Sequence, residues 1–175
     1  MLTRITLILI AVFGLSLSDT VSQGSSLKAD ESPLTLTPHT INGRRYTVED
    51  VLIVMAFKNG SKTPVRILNA FNDRNNRSFF MIVLRDEDGT PIGPFGGGSI
   101  TLPRSSMKYV DLQENEEFTV RINVTEFLRN YKLKPGAYEV SVTYFNQNGE
   151  DCFKGKLESG PIRLDLEGND ACPKD

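Results

Sequence analysis

Apolar residues recur at every second position through most of the chain, a period that belongs to strands rather than helices. Leu34 and Leu36 alternate with Thr35 and Thr37. Residues 51–57 are apolar throughout, as a centrally placed strand would be. Asn59-Gly60 follows, a dipeptide suited to the positive φ angles of a tight hairpin, so 64–70 is expected to return as the partner strand. Residues 79–84 form a second apolar run, closed by another hairpin signal, Asp88-Gly89. Phe118, Val120, Ile122 and Val124 alternate with Thr119, Arg121 and Asn123. Tyr138, Val140, Val142 and Tyr144 alternate with Glu139, Ser141 and Thr143. After a turn at Asn148-Gly149, Ile162, Leu164 and Leu166 alternate with Arg163, Asp165 and Glu167. These three strands bury one face and wet the other, the habit of antiparallel sheets. One short helix is expected at 124–131, and no internal repeat or second domain shows. The pattern predicts an all-β, antiparallel sandwich of about 7–9 strands.

The first eighteen residues follow a different rule. Arg4 supplies a positive start, Ile5 to Leu15 is almost wholly apolar, and Ser16-Leu17-Ser18 places small residues before Asp19. Those three parts make a secretory signal peptide, so the protein is expected to be secreted. A retained anchor is the competing reading, but the stretch falls short of the about 20 residues of a membrane span. The expected organisation is a signal peptide at 1–18, a flexible polar lead at 19–32 and a single domain at 33–175, with no membrane span after cleavage. Cleavage removes Arg4 from the 20 Lys and Arg, leaving 19 against 22 Asp and Glu, a net charge of −3. With no basic face, nucleic acid is not an expected partner.

Export changes how the cysteines and asparagines are read. Cys152 and Cys172 are the only cysteines, and an even count outside the cell suggests one disulfide between them. Free buried thiols or bonding elsewhere are the alternatives. Asn59, Asn76 and Asn123 each open an Asn-x-Ser/Thr acceptor. They fall in an expected turn, a polar loop and the wet face of a strand. In a eukaryotic source all three are glycosylation candidates, placed where a glycan would not disturb the core.

Leu133-Lys134-Pro135-Gly136-Ala137-Tyr138 resembles the Pro-Gly-x-Tyr lead into a late strand of immunoglobulin-like sandwiches. In that family a Tyr here ties the corner with its hydroxyl, which implies the same role for Tyr138. The stretch 51–144 is also similar in layout to the non-catalytic β-sandwich domain of deuterolysin-type metallopeptidases. The shared features are the apolar strand, the Asn-Gly turn, the Phe-rich strand, Glu116-Glu117-Phe118-Thr119-Val120 and Pro-Gly-x-Tyr. No His-Glu-x-x-His occurs, so the resemblance implies an immunoglobulin-like fold and no activity.

Candidate chemistry is sparse, and the chain is read as not an enzyme, with no cofactor and no metal. His39 is the only histidine, and no Gly-x-Ser-x-Gly elbow accompanies it. Asp86-Glu87-Asp88-Gly89 resembles the start of a calcium loop, but position 95 is Phe where that pattern needs Glu, so a solvated hairpin tip is expected. Glu114, Glu116 and Glu117 are expected in a solvated turn, because neighbours on a strand face opposite ways. The unusual segment is 93–99, with Phe95 beside Gly96, Gly97 and Gly98. Two readings stand: a mobile end loop through which Phe95 and the glycines contact a partner, or a crossover whose backbone angles need glycine. The expected function is a secreted, non-catalytic binding module contacting a protein, cell-surface or matrix component through this segment. The alternative is a protease inhibitor using the same segment as its inserting loop.

Overall fold

The β-branched and aromatic alternation condenses into strands wherever the sequence is described, residues 32–41, 46–128 and 131–168 of a computed structural model. The expected signal peptide, all of the lead except Ser32, and Cys172 lie outside the described residues. The strands are β1 (Leu34–Thr40), β2 (Tyr46–Thr47), β3 (Leu52–Asn59), β4 (Val65–Leu68), β5 (Phe80–Arg85), β6 (Pro91–Gly96), β7 (Tyr109–Leu112), β8 (Glu117–Asn123), β9 (Gly136–Asn146), β10 (Gly155–Glu158) and β11 (Ile162–Glu167). Two short α-helices join them, α1 (Asp73–Phe79) and α2 (Val124–Leu128), with one 3-10 turn at Arg104–Ser106.

The fold is an all-β sandwich. One sheet runs β1-β3-β8, the other β2-β11-β9-β5-β6 with β10 also on β9, and β4-β7 form a separate ribbon. Every pairing is antiparallel except β2 with β11. The continuous apolar run of β3 holds the middle of its sheet, as its composition requires. The long strand β9 buries Tyr138, Val140, Val142 and Tyr144 on one face. β10 and β11 follow one another along a single edge of β9, interrupted at 159–161. There Ser159 takes over the ladder: its N–H donates to Val142 O and its Oγ accepts from Val142 N, both at 2.9 Å. Pro161, which has no N–H to give, sits in the interruption.

The sheets meet through aromatic rings. Phe57 of β3 lies edge-on to Tyr144 of β9, with centroids 4.9 Å apart, and 6.2 Å from Phe80 of β5. Edge-to-face packing of this kind adds to the apolar burial. At the lead into β9, the Tyr138 hydroxyl donates to Lys134 O at 3.0 Å and ties the strand to the Pro-Gly turn.

Two local expectations fail. Asn59-Gly60 is not a hairpin turn: neither residue takes a positive φ, and β4 pairs with β7 rather than with β3. Asn59 instead works as a buried corner. Its Nδ2 donates to Thr63 O and Leu112 O, and its Oδ1 accepts from Ser61 N and Ser61 Oγ, all at 2.9 Å. These four bonds fasten the end of β3 to the end of β7 and redirect the chain out of the first sheet. The second correction is α1, where the sequence reading expected only a polar loop. Asn72 caps it, its Oδ1 accepting from Asn75 N at 2.9 Å, and Phe79 closes it inside the core rather than opening a strand.

The corner yields a stability prediction. Asn59→Ala leaves two carbonyls and one N–H without these partners in a buried place, so it should cost about 3 kcal/mol. Urea unfolding followed by circular dichroism measures this; an unshifted midpoint would refute the corner role.

Candidate functional site

The segment 93–99 has two sequence readings, a mobile end loop or a crossover that needs glycine, and the structure places its first part in a strand. Up to Gly96 the residues belong to β6, the edge strand of the larger sheet, with Ile82 opposite Phe95 and Met81 opposite Gly96. A register shift between Ile82 and Leu84 bends the strand. Gly97 N–H then donates to Phe80 O at 2.9 Å and Gly98 N–H to Arg77 O at 3.3 Å, so the run stays fastened beyond the strand. Gly96 has φ +83°, and a Cβ there would lie 2.3 Å from Phe80 O and 2.9 Å from the Phe127 ring. Glycine is required here by close packing, which favours the second of the two sequence readings.

Phe95 is half-buried against the core, and its ring lies 5.8 Å from that of Tyr131. Tyr131 is 44% exposed, the most exposed large hydrophobic side chain among the described residues. Together the rings form an aromatic ledge, with Phe95 on β6 and Tyr131 on the segment between α2 and β9. The other exposed aromatic, Tyr109 at 37%, is already engaged. The Arg66 guanidinium lies over its ring at 5.8 Å, and its hydroxyl accepts from Glu150 N at 3.3 Å. Tyr131 escaped the sequence reading because only topology, and no local pattern, brings it to Phe95.

The remaining sequence candidates separate cleanly. Asn59 is 0% and Asn76 2% exposed, which corrects the expectation that all three sequons sit at wet positions. The Asn59 Nδ2, where a sugar would attach, already bonds two carbonyls. Asn76 lies in α1 rather than in a loop. Asn123 is half-buried at the end of β8; its Oδ1 accepts from Thr125 N at 3.0 Å, and its Nδ2 is free among the described residues. Asp86, Glu87 and Asp88 do form a hairpin tip. Asp86 Oδ1 accepts from Asp88 N and Thr90 N, and Glu87 Oε1 accepts from Ala137 N at 3.0 Å. Glu116 spends a carboxylate oxygen on Gln113 N at 2.7 Å, while Glu114 and Glu117 are exposed. His39 is exposed on β1. Among the described residues no group of three or more His, Cys, Asp or Glu could hold a metal ion, and no helix is long and apolar enough to cross a membrane.

Cys152 is unbridged in the structure, and its expected partner Cys172 lies outside the described residues. The thiol donates to Asn148 O at 3.4 Å, and burial pushes its pKa up.

No family model and no curated protein matches the chain. Among solved structures it is similar to a β-glucosidase from Listeria innocua in complex with laminaribiose, at 19% identity over 73% of this chain and 16% of that one, with a TM-score of 0.31. It is also similar to a β-glucosidase from Erythrobacter marinus, at 11% identity over 77% of this chain and 15% of that one, TM-score 0.36. A target of the Northeast Structural Genomics Consortium aligns at 12% identity over 77% of this chain and 88% of that one, TM-score 0.37. The chain thus spans about a sixth of the length of these glycosidases. At such scores the likeness carries no functional argument.

Two outcomes follow. Gly96→Ala should destabilise the fold by roughly 2 kcal/mol or more, since Phe80 O is backbone and cannot turn aside; a thermal melt at wild-type temperature would contradict the packing requirement. When the chain is secreted from a glycosylating eukaryotic host, Asn123→Gln should abolish the glycosidase-sensitive mass shift. A shift that survives it and vanishes in Asn59→Gln or Asn76→Gln would contradict the order of accessibility.

Proposed function

We propose that this protein is a secreted, non-catalytic binding module that recognises a cell-surface or matrix protein through the aromatic ledge of Phe95 and Tyr131. The observation that carries the reading is the ring pair itself, with Tyr131 44% exposed beside half-buried Phe95 on a fastened strand. Large rings supply contact area at low conformational cost and dominate the energetics of protein interfaces. A strand that keeps its shape loses little freedom on binding, which favours affinity. Phe95 is therefore a preformed anchor on β6, with Tyr131 beside it from the segment between α2 and β9. The apolar leader of residues 5–15 supports export, and the single histidine, without a catalytic motif around it, supports a non-catalytic role. No cofactor enters the reading.

The test is affinity capture from secretions of the protein's own source on immobilised chain from Asp19 onward, with Tyr131→Ala and Phe95→Ala alongside. A surface or matrix protein should be retained, and each substitution should weaken its binding at least about tenfold, as loss of an aromatic anchor does. Equal retention by wild type and both variants would sink the ledge. Recovery of a protease that the variants lose would move the assignment to an inhibitor.

A further inference from the structure

The fold sets the two cysteines toward opposite ends of one strand. Cys152 belongs to the connection from β9 to β10 and is fastened at the Asn146 end of β9. Its Sγ donates to Asn148 O at 3.4 Å and accepts from Asn146 Nδ2 at 3.7 Å. The next residue is held twice: Phe153 N–H donates to Arg66 O at 2.7 Å, and Phe153 O accepts from Asn146 Nδ2 at 2.8 Å. With these anchors in place, Cys152 has no freedom to travel along the sheet.

Cys172 lies four residues beyond Gly168, the last residue described. Gly168 is held at the other end of β9. Leu166 pairs with Gly136, the first residue of β9, and Glu167 pairs with Thr47 of β2. Gly168 itself lies against Pro135, whose ring carbon a Cβ there would approach to 3.3 Å. β9 has 11 residues, so its ends stand about 33 Å apart at about 3.3 Å per residue. Four residues of fully extended chain reach about 14 Å, and a disulfide spans at most about 7 Å between Cα atoms. The sum, about 21 Å, falls about 12 Å short. While β9 is intact, the length of chain from Gly168 to Cys172 closes no bond to Cys152 of the same copy.

We propose that Cys152 of one copy bonds Cys172 of a second copy, and the reverse, so that two disulfides join a symmetric dimer. A two-fold axis perpendicular to β9 sets the two copies of that strand antiparallel. The Asn146 end of each copy then stands beside the Gly168 end of the other. Both bonds form in one self-complementary arrangement, and neither thiol is left over outside the cell. In each bond two thiols lose two protons and two electrons and become one disulfide. A small-molecule disulfide takes up both and leaves as two thiols.

Equal parts of unlabelled and 15N-labelled chain from Asp19 onward are reduced, mixed, oxidised with glutathione disulfide and digested without reductant. Mass spectrometry should find the peptide pair Cys152–Cys172, with about half of it carrying one label from each kind of chain, as random pairing of copies requires. The undigested product should run as a dimer that dithiothreitol returns to monomer. A variant with about eight Gly and Ser residues inserted after Gly168 gains about 28 Å of reach. It should close the bond within one chain, giving monomer and losing the mixed-label pair. The proposal is overturned if the wild-type pair carries like labels only. It is equally overturned if the cysteines end as free thiols, as glutathione adducts or in any other pairing.

Discussion

The ring of Tyr144 is where the two sheets become one body. It projects from β9 and lies 4.9 Å from Phe57, 5.5 Å from Phe80 and 6.0 Å from Phe71, with Phe79 and Phe153 both at 6.4 Å. These contacts join the first sheet, the second sheet, the 69–72 connection, α1 and the segment before β10. The hydroxyl is buried without a partner, and burial pushes the phenol pKa far up. Leaving it so costs about 1–3 kcal/mol, which the ring's packing has to outweigh.

Around that apolar centre the chain turns by one repeated polar device. Asn59, Asn123 and Asn146 each end a strand, and each offers Oδ1 to the backbone N–H two residues on, at 2.9, 3.0 and 2.9 Å. The side chain thereby imitates a backbone turn. At Asn59 and Asn146 the Nδ2 also ties in a distant or following carbonyl, so the amide is buried without being orphaned. A buried amide satisfied on both sides stabilises one geometry and penalises others. This explains why two of these asparagines lie in the core although their neighbours read as turns.

Much of the fold was legible because period-two alternation survives wherever one face is wet. β8, β9 and β11 follow it residue by residue. The β5–β6 hairpin was legible too, since Asp86 and Gly89 supply local turn chemistry. What failed was non-local. The dipeptide Asn59-Gly60 looks the same whether the next strand returns or leaves, and Leu112, which decides the matter, is 53 residues away. Helix α1 carries only a cap and one turn's worth of pattern, too short to stand out from a loop. Of the ledge, Phe95 was visible as an aromatic among glycines, whereas Tyr131 needed the fold to find its place.

The tight seat of Gly96 has a practical side. Anyone diversifying 93–98 to redirect recognition would see four glycines as free positions and vary them all. At 96 a new side chain meets the Phe80 carbonyl, so clones altered there would drop out of a display library through poor expression. Enrichment of glycine at that position would then measure foldability and be mistaken for affinity. A library that holds 96 constant and varies Phe95, Pro91 and Pro94, whose side chains face solvent wholly or in part, would keep the two signals apart.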